Sequence, residues 1–338
     1  MLKTYIGKLL NRENLTAEET EIAIETILNG ADSNQIAAFL VLLRSKRETS
    51  DEILGIVRGM QKMMVALSIS LPVLDIVGTG GDGANTINIS TGAAILAASC
   101  GVKIAKHGNR SVSSQCGSAD ILEALGVNIN LPPTEIVRCI EKVGIGFCFA
   151  PNFHPAMKAI KDIRKNLMVP TCFNILGPLL NPAQAKYLLI GVFSQDLMNV
   201  MAEVILNLGV KRAMVFHGNG LDELSCVGSA KVLEVTPSGI KPLILCPEVF
   251  GFAKCNVEDL RGGTAKENAV IIRDVFKGKA GSIADTMILN AAVALYIYGI
   301  THSIEQAILQ IKSSINDGKV LKLLNDFIAF GQSGGRRE

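Results

Sequence analysis

The stretch from Leu74 to Ser114 constrains this chain more than any other part of its sequence. It begins as a short apolar strand, Leu74–Val77, which runs into four glycines interrupted by one threonine and one aspartate. Further on, a cationic loop begins at Lys106, and a row of hydroxyl side chains ends the stretch. Glycine lets backbone N–H groups approach an anion closely, and Lys, Arg and Ser side chains complete a phosphate site. The sequence therefore predicts a site for a heavily phosphorylated ligand.

From residue 72 onward, strand-like and helix-like patterns alternate along the chain. The predicted strands are 73–77, 102–105, 147–150, 187–193 and 213–216, and the predicted helices between them are 90–100, 119–125, 134–143 and 197–208. Such alternation is typical of a sheet with crossover helices. Residues 231–235 and 241–245 flank a Thr-Pro-Ser-Gly turn and predict a hairpin, so we expect a mixed, mostly parallel sheet.

The first 70 residues predict helices only. Thr16 and Glu19 form a capping-box pattern, and further helices are expected to open at Asp32-Ser33 and at Ser50. We therefore expect a small all-helical domain over 1–70, joined by helices from about 155–182, and a larger α/β domain over 71–338. The C-terminal third predicts helices at 264–276, 283–298 and 304–330.

Composition excludes several classes of protein. The 338 residues are 49% hydrophobic and carry a net charge of +2, which is too balanced for a general nucleic-acid binder. There is no apolar run of about 18 residues and no apolar N-terminal stretch of signal length. The eight cysteines show no CxxC pair, which predicts reduced thiols and no zinc site. We expect a cytoplasmic protein that binds neither membrane nor nucleic acid.

Gly78, Gly80 and Gly83 satisfy the GxGxxG dinucleotide pattern, which must be weighed first. That reading needs a helix at the glycines and an acidic residue at the end of the next strand. Here the loop continues to Asn88, and the next strand ends in the basic run 106–110. The dinucleotide reading is disfavoured, and no Walker A motif is present.

Asn88–Thr91 places hydroxyl and amide side chains at a predicted helix N-terminus, which favours an anion. Asn88 and Ser90 could instead simply cap the helix; the neighbouring glycine and cationic loops favour phosphate. Asp82 has two open readings: it bonds a ligand hydroxyl, or it orders an Asx-type turn.

Asp222 and Glu223 follow a predicted strand, at the edge where α/β sheets bind their ligands. Carboxylates together with phosphate oxygens are the usual environment of Mg²⁺. Arg164 lies on a basic helix, which by itself indicates a solvated face. His107, His154 and His217 lie beside candidate loops, yet no arrangement for nucleophilic catalysis can be specified.

Several motifs together resemble the anthranilate phosphoribosyltransferase family, in collinear order over nearly the whole chain. The residues that carry the resemblance are 78–91, 106–114, 117–120, 150–157, 173–182, 220–225 and 261–263. The resemblance implies the nucleoside phosphorylase/phosphoribosyltransferase fold and a homodimer formed through the helical domain. It also implies transfer of 5-phosphoribose from PRPP to the amine of anthranilate with release of pyrophosphate, the second step of tryptophan biosynthesis from chorismate.

The resemblance also assigns site residues, and it names no certain catalytic residue, because metal and substrate positioning carry the reaction. Two Mg²⁺ ions per monomer are expected on Ser90, Asp222 and Glu223. Anthranilate is assigned to Gly78, Asn109 and Arg164, with Arg164 on its carboxylate. The residues assigned to PRPP are Gly78, Gly81, Asp82, Thr86, Asn88, Ile89, Ser90, Thr91, Lys106, His107, Gly108, Asn109, Arg110, Ser111, Val112, Ser113, Ser114 and Ser118.

The chain departs from the family pattern in two places. Gln115-Cys116 replaces a more usual Lys-Ser, which removes one positive charge near the phosphates, and residues 166–168 differ just beyond Arg164. Two alternatives to the main reading stay open: a pyrimidine nucleoside phosphorylase on the same fold, and a non-catalytic relative that binds nucleic acid. The basic loop at 106–114 speaks against the first, and the low net charge and intact Asp222-Glu223 pair speak against the second.

Overall fold

The N-terminal part of the computed structural model is helical, as predicted. The structure describes residues 2–111 and 115–333. Four helices precede the first strand: α1 (Leu2–Leu10), α2 (Ala17–Leu28), α3 (Ser33–Lys46) and α4 (Ser50–Met63). Thr16 and Glu19 form the predicted capping box, and a second one, Thr49 with Glu52, opens α4. Because these caps satisfy otherwise unpaired N–H groups, they set where α2 and α4 begin.

Seven strands form one sheet in the order β3-β2-β1-β4-β5-β6-β7. The strands are β1 (Leu74–Gly78), β2 (Ile104–Gly108), β3 (Ile145–Phe149), β4 (Tyr187–Gly191), β5 (Arg212–His217), β6 (Ala230–Thr236) and β7 (Gly239–Leu245). The first five are parallel, and β6 and β7 form the predicted antiparallel hairpin. The predicted fold class, a small helical domain with a mixed, mostly parallel sheet, is confirmed.

The remaining helices cover both faces of the sheet and form the C-terminal layer. They are α5 (Ile89–Ser99), α6 (Ser118–Leu125), α7 (Pro133–Lys142), α8 (Ala150–Phe153), α9 (Lys158–Leu167), α10 (Leu197–Asn207), α11 (Ala265–Phe276), α12 (Ser282–Tyr298), α13 (Ile304–Asn316) and α14 (Lys319–Ser333). The single predicted helix 304–330 is wrong, because the chain breaks at Gly318, whose φ of 70° ends α13 and lets α14 begin. None of the described helices combines the length and apolarity needed to cross a bilayer.

The sheet has a topological switch between β1 and β4. The chain moves outward from β1 through β2 to β3, then returns to the other side of β1 as β4 and continues to β5. Loops that follow β1 and β4 therefore diverge to opposite faces and leave a crevice between them. The glycine-rich loop follows β1, and the acidic pair follows β5, so both approach this crevice.

Helix α9 packs on α2 and α3 of the helical part. Its Ile160 is fully buried in the same apolar core as Phe39 and Leu43 of α3. Phe153, at the end of α8, lies in that core too. The segment that joins β3 to β4 thus contacts the helical part through α9 and Phe153.

Candidate functional site

The glycine-rich loop meets the acidic pair at the switch point. Gly78 of β1 and Gly191 of β4 face each other in register, and a Cβ on either would collide with Asp222. Beyond Gly78 the chain turns through Gly80 and Gly81, with φ of 68° and 86°. The Gly80 N–H donates to Asp222 Oδ2 at 2.5 Å. Glycine is required here because only a residue without a side chain lets the carboxylate enter between the two strands.

The carboxylates of Asp82, Asp222 and Glu223 lie close together at the switch point. Asp222 is buried, and its pKa is raised to about 7, first by burial and then by the nearby Asp82. Burial and the Asp222 charge raise the pKa of Glu223 well above its usual range. Asp82 accepts from the Ala84 N–H through Oδ1 at 3.1 Å, which is the hydrogen bond of an Asx-type turn. Its buried Oδ2 has no hydrogen-bond partner among the described residues. Such mutual repulsion is the environment that a divalent cation relieves.

The donor set fits a metal shared with a ligand rather than one held by protein alone. Among residues 2–111 and 115–333, no group of three or more His, Cys, Asp or Glu side chains could enclose an ion. Asp222 and Glu223 supply two carboxylates, and Ser90 lies beside them, its N–H donating to Glu223 Oε1 at 3.4 Å. Mg²⁺ is commonly bound by one or two carboxylates plus phosphate oxygens. The residues present therefore fit Mg²⁺ bound together with a phosphorylated ligand.

Lys106 is a buried strand residue, which corrects the prediction of a loop beginning there. Its ammonium lies under the N-terminus of α5 and donates to Ile76 O at 2.7 Å and to Ser90 Oγ at 3.5 Å. Burial lowers its pKa. The strand extends further than predicted because Lys106, His107 and Gly108 pair in register with β3. The cationic charge thus comes from the sheet floor, beneath the glycine loop.

Asn88 does not cap α5 with its side chain, contrary to the simpler sequence interpretation. It donates instead to Cys116 O at 3.0 Å and accepts from Asn268 Nδ2 at 3.2 Å. Asn88 therefore ties the glycine loop to the segment that follows β2. Asn88 leaves the first turn of α5 uncapped by its own side chain, and the Ser90 N–H of that turn donates to Glu223 Oε1 instead.

The segment after β2 is held by α6. Arg110 forms ion pairs with Asp120 and Glu123 and lies 5.6 Å from the Phe149 ring centroid. Ser118 Oγ donates to Asn109 O at 3.2 Å. Any phosphate that binds Arg110 must therefore compete with two carboxylates. Val112, Ser113 and Ser114, which the resemblance assigns to PRPP, lie outside the described residues.

The remaining assigned residues lie around the glycine loop and α5. Thr86 forms an isolated antiparallel bridge with Arg261, and Gly81 packs near the Phe193 ring. Thr91 is buried, and its hydroxyl oxygen has no hydrogen-bond partner in the described part of the chain. The structure thus brings residues 78–91, Lys106, Asp222 and Glu223 together at one crevice.

Arg164 does not lie on a solvated face, as the helix pattern alone suggested. It is half-buried, with its guanidinium carbon 5.4 Å from the Phe173 ring centroid. Burial lowers its pKa. No carboxylate within the described part of the chain forms an ion pair with it. A half-buried guanidinium that lacks a counter-ion is suited to bind an anionic ligand.

Two buried histidines lie beside the crevice. The Nε2 atoms of His107 and His154 are 3.3 Å apart, and His107 Nδ1 lies 3.1 Å from Gly177 O. Burial, with His154 nearby, lowers the pKa of His107 to about 3, and burial also lowers the pKa of His154. Because a carbonyl accepts from His107 Nδ1–H, the neutral His107 accepts at Nε2 from His154. His217 lies apart, its Nδ1 2.7 Å from Val192 O.

Sequence reasoning missed Asp75 and Asn181. Asp75 is fully buried and accepts from Asn181 Nδ2 at 2.7 Å and from the His107 N–H at 3.3 Å. One signal could have drawn attention to Asp75, because an aspartate inside an otherwise apolar strand needs buried partners. Asn181 carried no comparable signal, since an Asn before a Pro is an ordinary turn residue.

The fold and site define a two-domain glycosyl transferase. Residues 3–64 match the family model described as "Glycosyl transferase family, helical bundle domain", and residues 70–321 match "Glycosyl transferase family, a/b domain". The chain belongs to this family. Within it, the chain is 47% identical to an anthranilate phosphoribosyltransferase of Chlamydia felis over 333 residues, covering 98% of this chain and 97% of that protein. A relative from Methanosarcina acetivorans, also named anthranilate phosphoribosyltransferase, is 47% identical over 97% of this chain and 90% of its own length.

Solved structures agree with these relatives. Anthranilate phosphoribosyltransferase from Thermus thermophilus superposes with a TM-score of 0.92 at 40% identity, covering 97% of this chain and 99% of that one. The enzyme from Saccharomyces cerevisiae in complex with PRPP and Mg has a TM-score of 0.91 at 30% identity, covering 98% of each chain. The family resemblance drawn from the sequence motifs is confirmed.

Proposed function

We propose that this chain is an anthranilate phosphoribosyltransferase that moves the 5-phosphoribosyl group from PRPP to the amine of anthranilate. The products are N-(5-phosphoribosyl)anthranilate and pyrophosphate, and the reaction belongs to tryptophan biosynthesis. One observation carries the proposal: the Gly80 N–H contacts Asp222 at the switch point, so the phosphate loop and the acidic pair share one crevice. A glycine loop that bound a nucleotide without an acidic partner would not need the hydrogen bond from the Gly80 N–H to Asp222.

PRPP lies over the glycine loop in this proposal. Its pyrophosphate meets the N-terminus of α5 at Asn88–Thr91, above the Lys106 ammonium, where N–H groups and positive charge converge. Residues 107–114 and Ser118, with Gly78, Gly81, Asp82 and Thr86, complete the assigned contacts. When bound, Mg²⁺ on Ser90, Asp222 and Glu223 neutralises the pyrophosphate leaving group, and we assign two ions per monomer.

Anthranilate lies between Gly78, Asn109 and Arg164. The Arg164 guanidinium, which forms no ion pair within residues 2–111 and 115–333, receives the carboxylate, and its contact with the Phe173 ring orients its plane. The aromatic amine is neutral at pH 7, so it needs no strong base to attack C1′. His107 and His154 are neutral in this state, because burial lowers the pKa of both rings, and they therefore act by shape and hydrogen bonding rather than as acids.

Loss of anthranilate fluorescence after addition of PRPP tests the proposal. We expect the fluorescence to fall with Mg²⁺ present and to stay constant in a chelator, with one pyrophosphate released per anthranilate consumed. Unchanged fluorescence together with phosphorolysis of a pyrimidine nucleoside would favour the phosphorylase alternative. Salt-dependent DNA binding without PRPP-dependent activity would favour the nucleic-acid-binding alternative.

We also propose the domain division at about residue 70, with residues 155–182 joining the helical domain. Packing of α9 on α2 and α3 supports it. A cytoplasmic homodimer that forms through the helical domain completes the proposal. Sedimentation velocity of the full chain measures the oligomeric state directly, and a monomer at micromolar concentration would contradict the dimer.

A further inference from the structure

The sheet is split between β1 and β2, directly beneath the crevice. β1 pairs with β4 over five residues, and β2 pairs with β3 over five, but the register between β1 and β2 contains the single pair Leu74 and Ile104. The two strands are hydrogen-bonded at their N-terminal ends, since the Leu74 N–H donates to Lys103 O at 2.8 Å. The two strands therefore stop bonding to each other as they approach the ligand side of the sheet.

Three side chains satisfy the backbone groups that the missing pairs would have joined. Asn181 Nδ2 donates to Ala105 O at 2.7 Å, and the His107 N–H donates to the Asp75 carboxylate at 3.3 Å. Lys106 Nζ donates to Ile76 O at 2.7 Å. In a continuous parallel ladder, these carbonyl and N–H groups would bond across the two strands. The side chains thus replace ladder bonds and keep the strands apart.

The replacement is a buried, connected network. Asp75 and Asn181 are both buried, and Asn181 Nδ2 donates to Asp75 Oδ2 at 2.7 Å. Asn181 is itself fixed, because the Ala183 N–H donates to its Oδ1 at 2.9 Å. A buried polar network of this kind is stable only if its members are satisfied together. Loss of either side chain would leave a backbone carbonyl or N–H group without its partner.

The split sets the position of two site residues. If β1 and β2 paired along their full length, Ile76 O would accept from a backbone N–H, and the Lys106 ammonium would have to share the closer of its two hydrogen-bond partners. Such pairing would also shift the backbone of His107, whose ring contacts Gly177 O. Lys106 and His107 are both among the residues assigned to PRPP. The network beneath them therefore supports two neighbouring residues of the proposed PRPP site.

We propose that Asp75 and Asn181 are positioning residues, which hold β1 and β2 apart so that Lys106 and His107 take the geometry needed for phosphoribosyl transfer. The inference rests on the proposed function and deepens it, since neither residue contacts substrate in that proposal. Asn181 belongs to the segment that also carries Phe173, the partner of Arg164. The network therefore connects this segment to the sheet floor.

Asp75→Asn and Asn181→Ser test the inference. In Asp75→Asn the new NH₂ group faces either Asn181 Nδ2 or the His107 N–H, so two donors meet in either rotamer. Asn181→Ser keeps one donor on a shorter side chain. For both variants we expect kcat/KM for PRPP to fall about tenfold to a hundredfold, as for other positioning partners. We also expect weaker binding of inorganic pyrophosphate with Mg²⁺ by calorimetry and faster hydrogen exchange at the His107 amide.

Glu52→Gln is the matched control. Glu52 is likewise a buried carboxylate that accepts backbone bonds, from the Leu15 and Thr49 N–H groups, but it lies in the helical part. We expect it to lower the melting temperature without changing pyrophosphate affinity. Folded Asp75→Asn and Asn181→Ser variants with wild-type kcat/KM and wild-type pyrophosphate affinity would overturn the inference and leave the proposed function intact.

Two further outcomes are decisive. A crystal structure of the wild-type protein in which Ala105 O bonds the Ile76 N–H would overturn the inference even if both variants fail to fold, and one that shows the split would support it. If the wild-type protein binds pyrophosphate but consumes no anthranilate, the proposed function fails, and pyrophosphate affinity of the variants still tests the network.

Discussion

At the scale of single residues, the site contains buried or half-buried charged groups that form no salt bridge within residues 2–111 and 115–333. Burial raises the pKa values of Asp222 and Glu223, and a neighbouring carboxylate adds to the shift in each case: Asp82 for Asp222, and Asp222 for Glu223. Arg164 is half-buried and lacks an ion pair within the described chain. Each group is costly to the ligand-free protein and becomes favourable once a ligand of opposite charge binds. Residues of this kind are candidates for function rather than for stability.

Arg164→Lys tests the acceptor side. Lysine keeps the charge but loses the planar fork that stacks on Phe173 and binds a carboxylate through two hydrogen bonds. We expect KM for anthranilate to rise about tenfold or more, with KM for PRPP nearly unchanged. Lys165→Gln, which removes an exposed charge from the same helix, is the control and should leave both constants unaltered. Equal effects of the two substitutions on anthranilate would contradict the assignment.

Asp222→Asn tests the electrostatic cost of the acidic pair. The folded protein raises the pKa of Asp222 to about 7 from an ordinary 3.8, so wild-type stability from this group is present at low pH and is lost as pH rises through about 7. The Asp222→Asn variant does not lose stability in this way, because its side chain at this position does not ionise. We expect its free energy of unfolding relative to wild type to increase by on the order of 2 kcal/mol between pH 5 and pH 8. Urea denaturation at both pH values measures it, and a pH-independent difference would contradict the cause.

At the scale of elements, glycines determine how closely the strands and loops approach the site. Gly78 and Gly191 end neighbouring strands and leave room for Asp222 between them. The split between β1 and β2 makes a second opening beside them. Both openings have a defined shape because the sheet around them is otherwise continuous.

Gly78→Ala tests the close approach at the end of β1. The added methyl group collides with the Asp222 carboxylate, which must move away from the Gly80 N–H. We expect activity to fall by about a hundredfold, since small displacements in an active site carry losses of this size. Gly7→Ala is the matched control, because a Cβ there meets nothing within 4 Å. Wild-type activity in Gly78→Ala would show that Asp222 does not need its place between the strands.

Met168→Gly tests the end of α9. Met168 ends this helix in the left-handed conformation with φ of 52°, and its side chain is 88% exposed. A residue with a Cβ is strained there, and glycine is not. We expect the substitution to stabilise the protein by about 1 kcal/mol. Calorimetric melting of the two proteins measures the difference, and a lower melting temperature would mean that the exposed thioether makes a contact that outweighs the strain.

At the scale of the whole molecule, periodicity and residue type predicted the helical part, the mixed sheet and the meeting of the glycine loop with the acidic pair. The boundary at Gly318 was missed because an isolated glycine is tolerated inside many helical patterns. Asp75 and Asn181 were missed because their contact joins residues 106 positions apart, which no local pattern reports. The sequence pattern predicts a loop at Lys106 because a charged side chain is unusual in a buried strand.

The Mg²⁺ dependence of turnover in the wild-type protein and in Asp222→Asn with Glu223→Gln shows whether the acidic pair holds a metal that the transfer needs. We expect the wild-type protein to consume anthranilate and release pyrophosphate in equal amounts only when Mg²⁺ is added. We expect the double variant, folded to the same degree by circular dichroism, to be slower by about two to three orders of magnitude at every Mg²⁺ concentration. A double variant with near-wild-type turnover, or wild-type turnover that is unchanged by a chelator, would contradict the role of the acidic pair as a metal site.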